Sequence, residues 1–390
     1  MALDGLNVCI VYDCLFPFTH GGAERWYRVL ADGLVAAGAS VTYLTRRQWE
    51  SEDPSWPGVR VVAVSRGGAL YHEDGTRRST PALSFGLGTF IELARHRRKY
   101  DAVVVASFPF FSLLAIWAAL LRTGTPVFVD YHEVWSARYW RSYIGRGMGT
   151  LGASIQKLCI RVSHLAQVFT FESAERLRAQ GFRGDVRVLA GLLPESATGT
   201  AAITIPSSEP TILFVGRHLK HKGVRLLPEI LAAARDSSPT LRMTVVGNGP
   251  ERVPLEGEFD RLGLSRSVHF TGSVTDDELR ELYSSASCTI VPSFREGYGI
   301  VVAESISAGT PAVVANNPEN LATTLIDEGV NGFVVDPTVD GLSRGIIAAV
   351  TAGYSLRAST AEWSAKHSHS KSIDRSTEEM VERISKFARK

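Results

Sequence analysis

The chain has 390 residues, of which 45% are hydrophobic and 21% charged, an ordinary composition for a soluble globular protein. A formal net charge of +2 gives no general attraction to nucleic acid. The four cysteines form no CxxC pair, which predicts reduced, buried thiols in a cytosolic protein rather than a disulfide framework. This length predicts two domains.

Two stretches bear on the membrane question. The first residues, MALDGLNVCIVYD, lack a basic region followed by a long apolar core, so we expect no signal peptide. The longest apolar stretch, FPFFSLLAIWAALL at 108–121, is shorter than the roughly 20 residues that a spanning helix needs. We therefore predict a buried helix at 108–121.

The first half alternates short β-branched runs with helical segments, the βαβ pattern of a parallel sheet. The runs lack strict polar alternation, so both faces of the sheet are expected to be buried. The predicted strands are NVCIVYD (7–13), SVTYLT (40–45), VRVVAV (59–64), DAVVVAS (101–107), TPVFVDY (125–131) and AQVFTF (166–171).

A small, polar segment at 197–210 is the predicted linker, and the strand pattern restarts after it. The second set of predicted strands is TILFVGR (211–217), LRMTVVG (241–247), SVHF (267–270), CTIVPS (288–293), PAVVA (311–315) and GFVV (332–335). The sequence thus predicts an α/β fold of two tandem Rossmann-like, doubly wound domains, at 1–196 and 211–370. We expect an inter-domain cleft that holds a ligand, and a helix at 371–390 that packs back on the first domain.

The stretch FREGYGIVVAES holds Glu296 and Glu304 on either side of a glycine turn that opens a helix. Glycines before a helix let backbone N–H groups approach an anion, which the helix N-terminus attracts. Glu304 should lie about one turn, roughly 6 Å, inside the helix. A diphosphate at the N-terminus would then have one carboxylate near each end, where hydroxyl groups of two sugar rings can donate to them. The alternative is two ordinary surface glutamates.

Further residues follow predicted strands. Arg217 and Lys222, in FVGRHLKHKG, suit a leaving diphosphate because two cations offset its charge. Gly21 and Gly22 open a helix after the first strand, as a second anion-binding N-terminus. His132 follows another strand of the first domain and is a candidate for contact with a substrate hydroxyl or phosphate. Each has a bland alternative, a solvated basic loop, a plain helix entry or a structural histidine.

Other chemistries fit poorly. VVGNGPE at 245–251 has Arg252 where a dinucleotide fingerprint has its third glycine, so a nicotinamide site is not predicted. The sequence has one HxxxE spacing, at His20–Glu24, and one G-x-S-x-G match, GLSRG at 341–345, but no paired Cys/His spacing, and we predict neither a metal site nor a serine hydrolase. TDDEL at 275–279 instead predicts a helix start, capped by Thr275 or Asp276.

The ordered set GGAER, VGRHLKHKG, GNGPE, FTGSV and the Glu pair resembles the retaining nucleotide-sugar glycosyltransferases of family 4, which have the GT-B fold. The resemblance covers nearly the whole chain. Tyr298, where Phe is common, and Ser305, where Ala is common, are mild departures. The resemblance implies transfer of a hexose from a UDP- or GDP-sugar to an acceptor hydroxyl, with retention at the anomeric carbon, no obligatory metal and no cofactor.

The resemblance also assigns roles. Its catalytic residues would be Glu296 near the transferred sugar, Arg217 and Lys222 on the diphosphate, and His132 near sugar and acceptor. It places Glu304 on the nucleotide ribose. The other implied substrate-binding residues are Gly21, Gly22, Gly216, Asn248, Thr271, Gly272, Ser273, Val274, Gly297, Tyr298, Gly299, Ile300 and Val301.

The acceptor is expected to bind the first domain, whose residues 1–195 hold 22 Lys+Arg and 17 Asp+Glu. Aromatic and cationic side chains interleave at 135–167, and a second basic cluster, RHRRK, lies earlier in the chain at 95–99. This pattern suits a membrane surface, so we hypothesise peripheral contact with the inner face of the cytoplasmic membrane. The acceptor would then be a lipid-linked glycan of envelope biosynthesis, with another glycan or a small molecule as the alternative.

Two other functions stay open. A nucleotide-sugar epimerase would share the fold and the donor but act without an acceptor. A non-enzymatic two-domain sugar-binding protein is the second, although such proteins usually work outside the cytoplasm. Release of nucleoside diphosphate with and without an acceptor distinguishes all three.

Overall fold

The computed structural model describes residues 3–19, 21–50, 52–70, 78–194 and 209–388. They form two compact units. The first contains the described residues up to Gly191 together with those from Ile373 onward, and the second contains those of Leu192–Ser372. Of the predicted linker at 197–210, residues 197–208 lie outside the described residues.

The first unit alternates strands and helices. In chain order these are β1 (Asn7–Val11), α1 (Gly22–Ala36), β2 (Ser40–Arg46), β3 (Val59–Ser65), α2 (Ser79–Arg95), β4 (Ala102–Ala106), α3 (Phe110–Ala119), β5 (Val127–Asp130), α4 (Ala137–Ile144), α5 (Arg146–Val162), β6 (Leu165–Val168), α6 (Phe171–Ala179) and β7 (Asp185–Val188).

The second unit repeats the alternation. Its elements are β8 (Thr211–Val215), α7 (Leu227–Ser237), β9 (Arg242–Val246), α8 (Arg252–Arg261), β10 (Val268–Gly272), α9 (Asp276–Ser285), β11 (Cys288–Val291), β12 (Arg295–Glu296), α10 (Ile300–Ser307), β13 (Ala312–Ala315), β14 (Glu319–Asn320), β15 (Gly332–Val335) and α11 (Val339–His367). Helix α12 (Ile373–Ala388) belongs to the first unit.

Both sheets are parallel and doubly wound, as predicted. The strand order is β3-β2-β1-β4-β5-β6-β7 in the first unit and β10-β9-β8-β11-β13-β15 in the second. In each unit the order reverses beside the first strand, at β1 and β8, where an open α/β sheet forms its ligand crevice. All twelve predicted strands are present. The sequence reading missed β7 and the two-residue strands β12 and β14.

Buried aliphatic and aromatic side chains form a separate core in each unit. The inward strand residues and the helices that cover them supply these side chains. Helix α1 shows the pattern, because its buried residues recur at helical spacing as Trp26, Tyr27, Leu30, Ala31 and Leu34. All four cysteines are buried and free, as predicted. Helix α9 begins in a capping box on Thr275, one of the two caps that the sequence indicated.

Helix α12 packs against α1 and reaches the first sheet through one buried arginine. Arg383 donates to the carbonyl oxygens of Ala166 (2.7 Å) and Asp185 (2.9 Å), residues of β6 and β7. Ser376 bonds the backbone of Gly191, the last described residue of the first unit before the chain enters the second. The C-terminal helix is thus held by hydrogen bonds as well as by its apolar face.

The predicted buried helix at 108–121 is only partly buried. Helix α3 covers the sheet with Leu113 and Ile116, but Trp117 and Leu121 are 44% and 48% exposed. The apolar run predicted burial on all sides, but the side that carries Trp117 is exposed to solvent. Within the described residues, no helix combines the length and apolarity needed to cross a bilayer.

Candidate active site

Lys222 and Glu296 form the central ion pair of the second unit. The Lys222 Nζ lies 2.7 Å from Oε1 and 2.9 Å from Oε2 of Glu296, so the ammonium faces both carboxylate oxygens. The side chains are 25% and 15% exposed. Partial shielding from water strengthens the attraction relative to a surface pair. The partners are 74 residues apart in the chain. They meet because β8 and β11, the strands that precede them, are neighbours in the sheet.

The backbone fixes both ends of this pair. Lys222 ends a short 3-10 turn, and Gly223 follows at φ 71°, where a Cβ would collide with the carbonyl oxygen of Pro292. Glu296 lies in β12, which pairs with β14 in the register Glu296↔Asn320. The buried Ser293 donates to Glu296 Oε1 at 2.7 Å. A carboxylate held by strand pairing, a hydroxyl and an ammonium is preorganised.

The glycine turn after Glu296 opens helix α10. Gly299 has φ 93° and ψ 56°, and a Cβ there would collide with Ala322. This position therefore requires glycine. The first N–H groups of α10 have no acceptor within the helix and point out of its N-terminus. The turn thus presents donors suited to an anion, as the sequence predicted for this helix start.

Glu304 lies on α10, one turn after its start. The hydroxyl of Tyr283 donates to Glu304 Oε2 at 2.9 Å and so orients this carboxylate. Tyr283 also belongs to a small apolar cluster that includes Val274 and Val301. The cluster joins the 271–274 loop to the first turn of α10. Two segments that the sequence reading assigned to the donor are therefore packed together.

Two glycine-rich strand ends meet beside them. The backbone N–H of Gly216, after β8, donates to Val246 at 3.1 Å, and Gly247 packs on the Gly216 carbonyl. Asn248 bonds through its own carbonyl to the N–H of His218 (2.9 Å), while its side chain accepts from Gly249. In this structure Asn248 therefore shapes the loop with both groups.

The pKa of His221 is lowered by burial and by nearby positive charges. Burial of the imidazole, followed by the charges of Arg295, Lys222 and Arg217, lowers the pKa of His221 to about 2. Three cations thus surround a neutral ring. Such a cluster suits a multiply charged anion, which would lower the mutual repulsion of the cations.

Tyr298 has a structural role that the sequence did not indicate. Its side chain is buried, and its hydroxyl accepts the backbone N–H of Leu192 at 3.1 Å. Burial raises the pKa of Tyr298 to about 12, and the bond from Leu192 opposes that shift. A phenylalanine could not accept this bond, so the departure from the usual residue has a physical consequence.

In the first unit, Gly21 and Gly22 open helix α1 as predicted. Gly21 is its N-cap in an extended conformation, with φ −176°. The carboxylate of Glu24 folds back so closely that a Cβ on Gly21 would collide with it. The helix N-terminus therefore already faces a carboxylate of its own first turn, which can accept hydrogen bonds from a hydroxyl-bearing ligand.

His132 lies two residues after β5, in an aromatic setting. Its ring stacks on Phe169, with centroids 5.9 Å apart, and meets Tyr27 edge-on at 5.7 Å. Burial lowers the pKa of His132, and the charges of Asp130 and Glu133 oppose that shift. Its Nε2 is buried and has no hydrogen-bond partner in the part of the chain that the structure describes. A neutral imidazole with a free ring nitrogen can accept or donate one bond to a ligand.

Asp130 supports this region and was missed by the sequence reading. It is fully buried at the end of β5, where it accepts from Trp26 Nε1 at 2.8 Å and from Gln167 Nε2. Burial raises its pKa, while His132 and these hydrogen bonds oppose the shift. Trp26 and Tyr27 thus tie α1 to the end of β5, so the start of α1 and His132 share one edge of the sheet. The only sequence signal was an Asp two positions before the histidine.

The two parallel sheets, each with a strand-order reversal beside its first strand, define a protein of two Rossmann-like α/β units. Two family models match the chain, "Glycosyl transferase 4-like domain" over residues 21–191 and "Glycosyl transferases group 1" over residues 199–366. The chain belongs to the group 1 glycosyltransferases, of the family 4 type, which confirms the resemblance inferred from the motifs.

Similar sequences are glycosyltransferases. A D-inositol 3-phosphate glycosyltransferase of Segniliparus rotundus is 25% identical over 81% of this chain and 73% of its own length. An uncharacterised glycosyltransferase of Methanocaldococcus jannaschii is 35% identical, but the match spans only 37% of each chain. Several of the curated relatives are thus matched over less than half of their length.

Similar structures share the fold. Sucrose-phosphate synthase of Thermosynechococcus elongatus has a TM-score of 0.79 at 21% identity, with 98% of both chains covered. HepE of Anabaena, solved with UDP and glucose, has a TM-score of 0.73 at 17% identity, covering 98% of this chain and all of that one. These likenesses establish the GT-B fold that the sequence predicted.

Proposed function

We propose that the protein transfers a hexose from a UDP- or GDP-sugar to a hydroxyl of an acceptor, with retention at the anomeric carbon. The observation that carries the proposal is the Lys222–Glu296 pair beside the N-terminus of α10, with Glu304 one turn further on. The HepE structures with UDP and UDP-glucose make UDP-glucose the first donor to test.

The charges of the second unit suggest how the donor is held. Arg217, Lys222 and Arg295 surround His221 with positive charge, which would compensate the diphosphate as it leaves. These cations and the N–H groups of α10 would supply the charge compensation that other transferases take from a divalent metal. We therefore propose transfer without an obligatory metal.

The carboxylates would position the two rings of the donor. Glu304, oriented by Tyr283, would accept from the ribose hydroxyls, and Glu296 would accept from the hexose. Gly216, Asn248 and residues 271–274, which follow or end three neighbouring strands, would contact the base and the phosphates. Residues Gly297–Val301 would lie along the sugar and the phosphates. Because Lys222 contacts both oxygens of Glu296, it would link the sugar end of the site to the diphosphate end.

In the retaining step, the acceptor oxygen bonds to the anomeric carbon as the bond to the diphosphate breaks. The acceptor proton passes to the leaving phosphate on the same face. His132 would bond a hydroxyl of the sugar or the acceptor through its free Nε2. Gly21 and Gly22, with the Glu24 carboxylate beside them, would bind acceptor hydroxyls.

The division of labour between the units is part of the proposal. The second unit would bind the donor, and the first would bind a glycan, a lipid-linked glycan of envelope biosynthesis or a small polyol. The name of the Segniliparus relative makes D-inositol 3-phosphate a candidate acceptor. We place the protein in the cytoplasm, in peripheral contact with the membrane.

A donor and acceptor panel tests the proposal. Purified protein is incubated with UDP-, GDP- and ADP-sugars, with EDTA present, and nucleoside diphosphate release is measured with and without glycan, lipid and inositol phosphate acceptors. We expect acceptor-dependent release from one donor class, and NMR of the product should show the donor's anomeric configuration. An inverted product, or sugar interconversion without an acceptor, would refute retaining transfer.

A further inference from the structure

Helices α2 and α3 expose an unusual number of large apolar side chains. Between 38% and 62% of each side chain is exposed for Leu83, Leu87, Phe90, Ile91, Trp117 and Leu121. We call these six residues the α2–α3 surface. On α2 they recur at the spacing of one helix face, while Trp117 lies on α3 and Leu121 lies two residues after its end. They therefore form two apolar stripes that face away from the core.

The two stripes lie side by side. Gly86 of α2 packs against the backbone of Phe111 in the first turn of α3. Further along, Arg97 Nη2 donates to the carbonyl oxygen of Leu121 at 3.0 Å. Both contacts join residues 24 or 25 positions apart, so the helices run parallel and in step. Trp117 is therefore level with Glu92 and Leu93, near the end of α2.

The α2–α3 surface is almost free of charge. In the seventeen residues of α2 only Glu92 and Arg95 are charged, and α3 has no charged residue. An ordinary exposed helix of the same chain differs, since α9 carries Asp276, Asp277, Glu278, Arg280 and Glu281 in ten residues. Exposed apolar area without interspersed charge is typical of a surface that meets another apolar phase.

One edge of the surface is basic. The exposed Arg95 ends α2, the exposed Arg97 and Arg98 follow it, and the exposed Arg122 follows α3. The bond from Arg97 to Leu121 shows that these two groups lie at the same end of the helices. Helix α5, packed against α3, adds Lys157 and Arg161 and has no acidic residue.

We propose that the α2–α3 surface docks on an anionic lipid bilayer. Its apolar side chains would enter the boundary between headgroups and acyl chains, and the arginines at its edge would meet lipid phosphates. This extends the membrane contact of the proposed function and names its surface. It does not depend on the donor site.

Charge favours a bilayer over a second copy of the chain. A twofold contact through the same surface would bring two basic edges into one small interface, and like charges there oppose association. An anionic bilayer is complementary to both parts of the surface. The sequence predicted membrane contact at 135–167, where Trp140 is 5% exposed and contacts Trp135. Met148, Leu151 and Leu158 of α5, in the same range, are exposed, and α5 packs against α3 beside the α2–α3 surface.

Vesicle binding tests the proposal with the full chain and no nucleotide sugar, so its result is independent of glycosyl transfer. We expect the protein to sediment with phosphatidylglycerol–phosphatidylcholine vesicles at low salt and to bind phosphatidylcholine alone far more weakly. The variant Leu87→Ser/Phe90→Ser should reduce binding by at least about tenfold without a change in charge. Absence of binding to anionic vesicles by the unmodified protein would overturn the proposal.

The matched control is Val253→Ser/Tyr354→Ser, which removes two exposed apolar side chains from the second unit. It should bind like the unmodified protein. Equal loss in both double variants would overturn the assignment to this surface, as would a concentration-dependent dimer that the Leu87/Phe90 variant abolishes.

Tryptophan fluorescence of the full chain gives a second measurement. Brominated lipids should quench the fluorescence of Trp117, and Trp117→Phe should remove most of that quenching while vesicle binding remains. If quenching is unchanged in Trp117→Phe, this surface is not the one that enters the bilayer.

Discussion

The carboxyl edges of the two sheets use opposite chemistry. In the second unit this edge is ionic, with Lys222 on Glu296 and three cations around the neutral His221. In the first unit the edge around His132 is aromatic, with Asp130 buried nearby and the Arg46–Asp13 pair buried at the ends of β1 and β2. The same topology therefore supports two kinds of ligand site, because the side chains at the strand ends are free to vary while the strands are not.

The difference fits two different substrates. A nucleotide diphosphate needs fixed positive charge and N–H donors, whereas a hydroxyl acceptor needs orientation and a place for one proton. The Glu24 carboxylate at the start of α1 adds to the contrast, since it can accept hydrogen bonds from acceptor hydroxyls. The following variants are ordered by the size of the effect that this division predicts.

Breaking the central ion pair should have the largest effect. Glu296→Gln and Lys222→Gln should each lower kcat for transfer by about 10²–10³-fold, because each removes a preorganised charge beside the reacting bond. The double variant should lose much less than the product of the two, since the partners act as one unit. Steady-state kinetics measures all three.

Glu281→Gln on the exposed face of α9 is the control and should keep full activity. If Glu296→Gln also retains full activity, the ion pair is structural only and the donor site has been misplaced.

Replacing His132 should affect transfer much more than donor binding. We expect His132→Asn to lower kcat by about 10–100-fold, because the free ring nitrogen is lost. The Kd for the donor should change less than about fivefold, because His132 supplies at most one hydrogen bond to the sugar and the other unit supplies the remaining donor contacts. Calorimetry with UDP-glucose or the preferred donor measures the second quantity. A large loss of donor affinity would contradict the division of labour.

Removing the Tyr283 hydroxyl should have a smaller effect, on KM for the donor rather than on kcat. Tyr283→Phe deletes the hydrogen bond that orients Glu304, so KM for the donor should rise by about 3–10-fold with kcat nearly unchanged. Tyr354→Phe, at an exposed tyrosine of the same unit, should leave both unchanged. A fall in kcat without a change in KM would place Glu304 at the reacting sugar rather than the ribose.

The smallest effect concerns stability in acid. His221 is neutral in the folded protein, with its pKa lowered to about 2, whereas in the unfolded chain it takes a proton below about pH 6.5. The unfolded state therefore binds more protons as pH falls, and stability that is full above pH 6.5 is lost towards pH 2. The loss should reach about 2 kcal/mol at pH 5. His221→Asn should reduce this dependence.

Melting temperatures of both proteins between pH 8 and pH 5 test this, with His269→Asn as the exposed control. If His221→Asn and the unmodified protein show parallel pH profiles, then His221 is not held neutral by burial and its cationic neighbours.

Local patterns were enough to predict much of the fold. Continuous β-branched runs identified the buried strands, since residues of a parallel sheet are covered on both faces. The short strand β7, DVRV, was missed because it alternates exposed and half-buried residues and carries two charges. The two glycines after Glu296, Gly297 and Gly299, also indicated a helix start, and Gly299 has the positive φ that only glycine adopts readily.

The roles of the site residues are a different matter. Arg217, Lys222, Glu296 and Glu304 were selected by motif, and their roles remain predictions. Asp130 and His221 were not assigned a role from the sequence, because their properties come from neighbours on other strands. The same holds for α3, whose apolar run indicated burial but whose outer side is exposed.

Two kinds of information are thus separated in this protein. The sequence by itself determined the strands, the glycine turns and the family, because each depends on residues close together in the chain. The tertiary structure decided that Lys222 meets Glu296 across 74 residues, that Asp130 lies buried beside His132, and that α2 and α3 share an uncovered apolar surface. Burial and charge pairing depend on which strand ends and helix faces become neighbours, and that is set only when the whole sheet has formed.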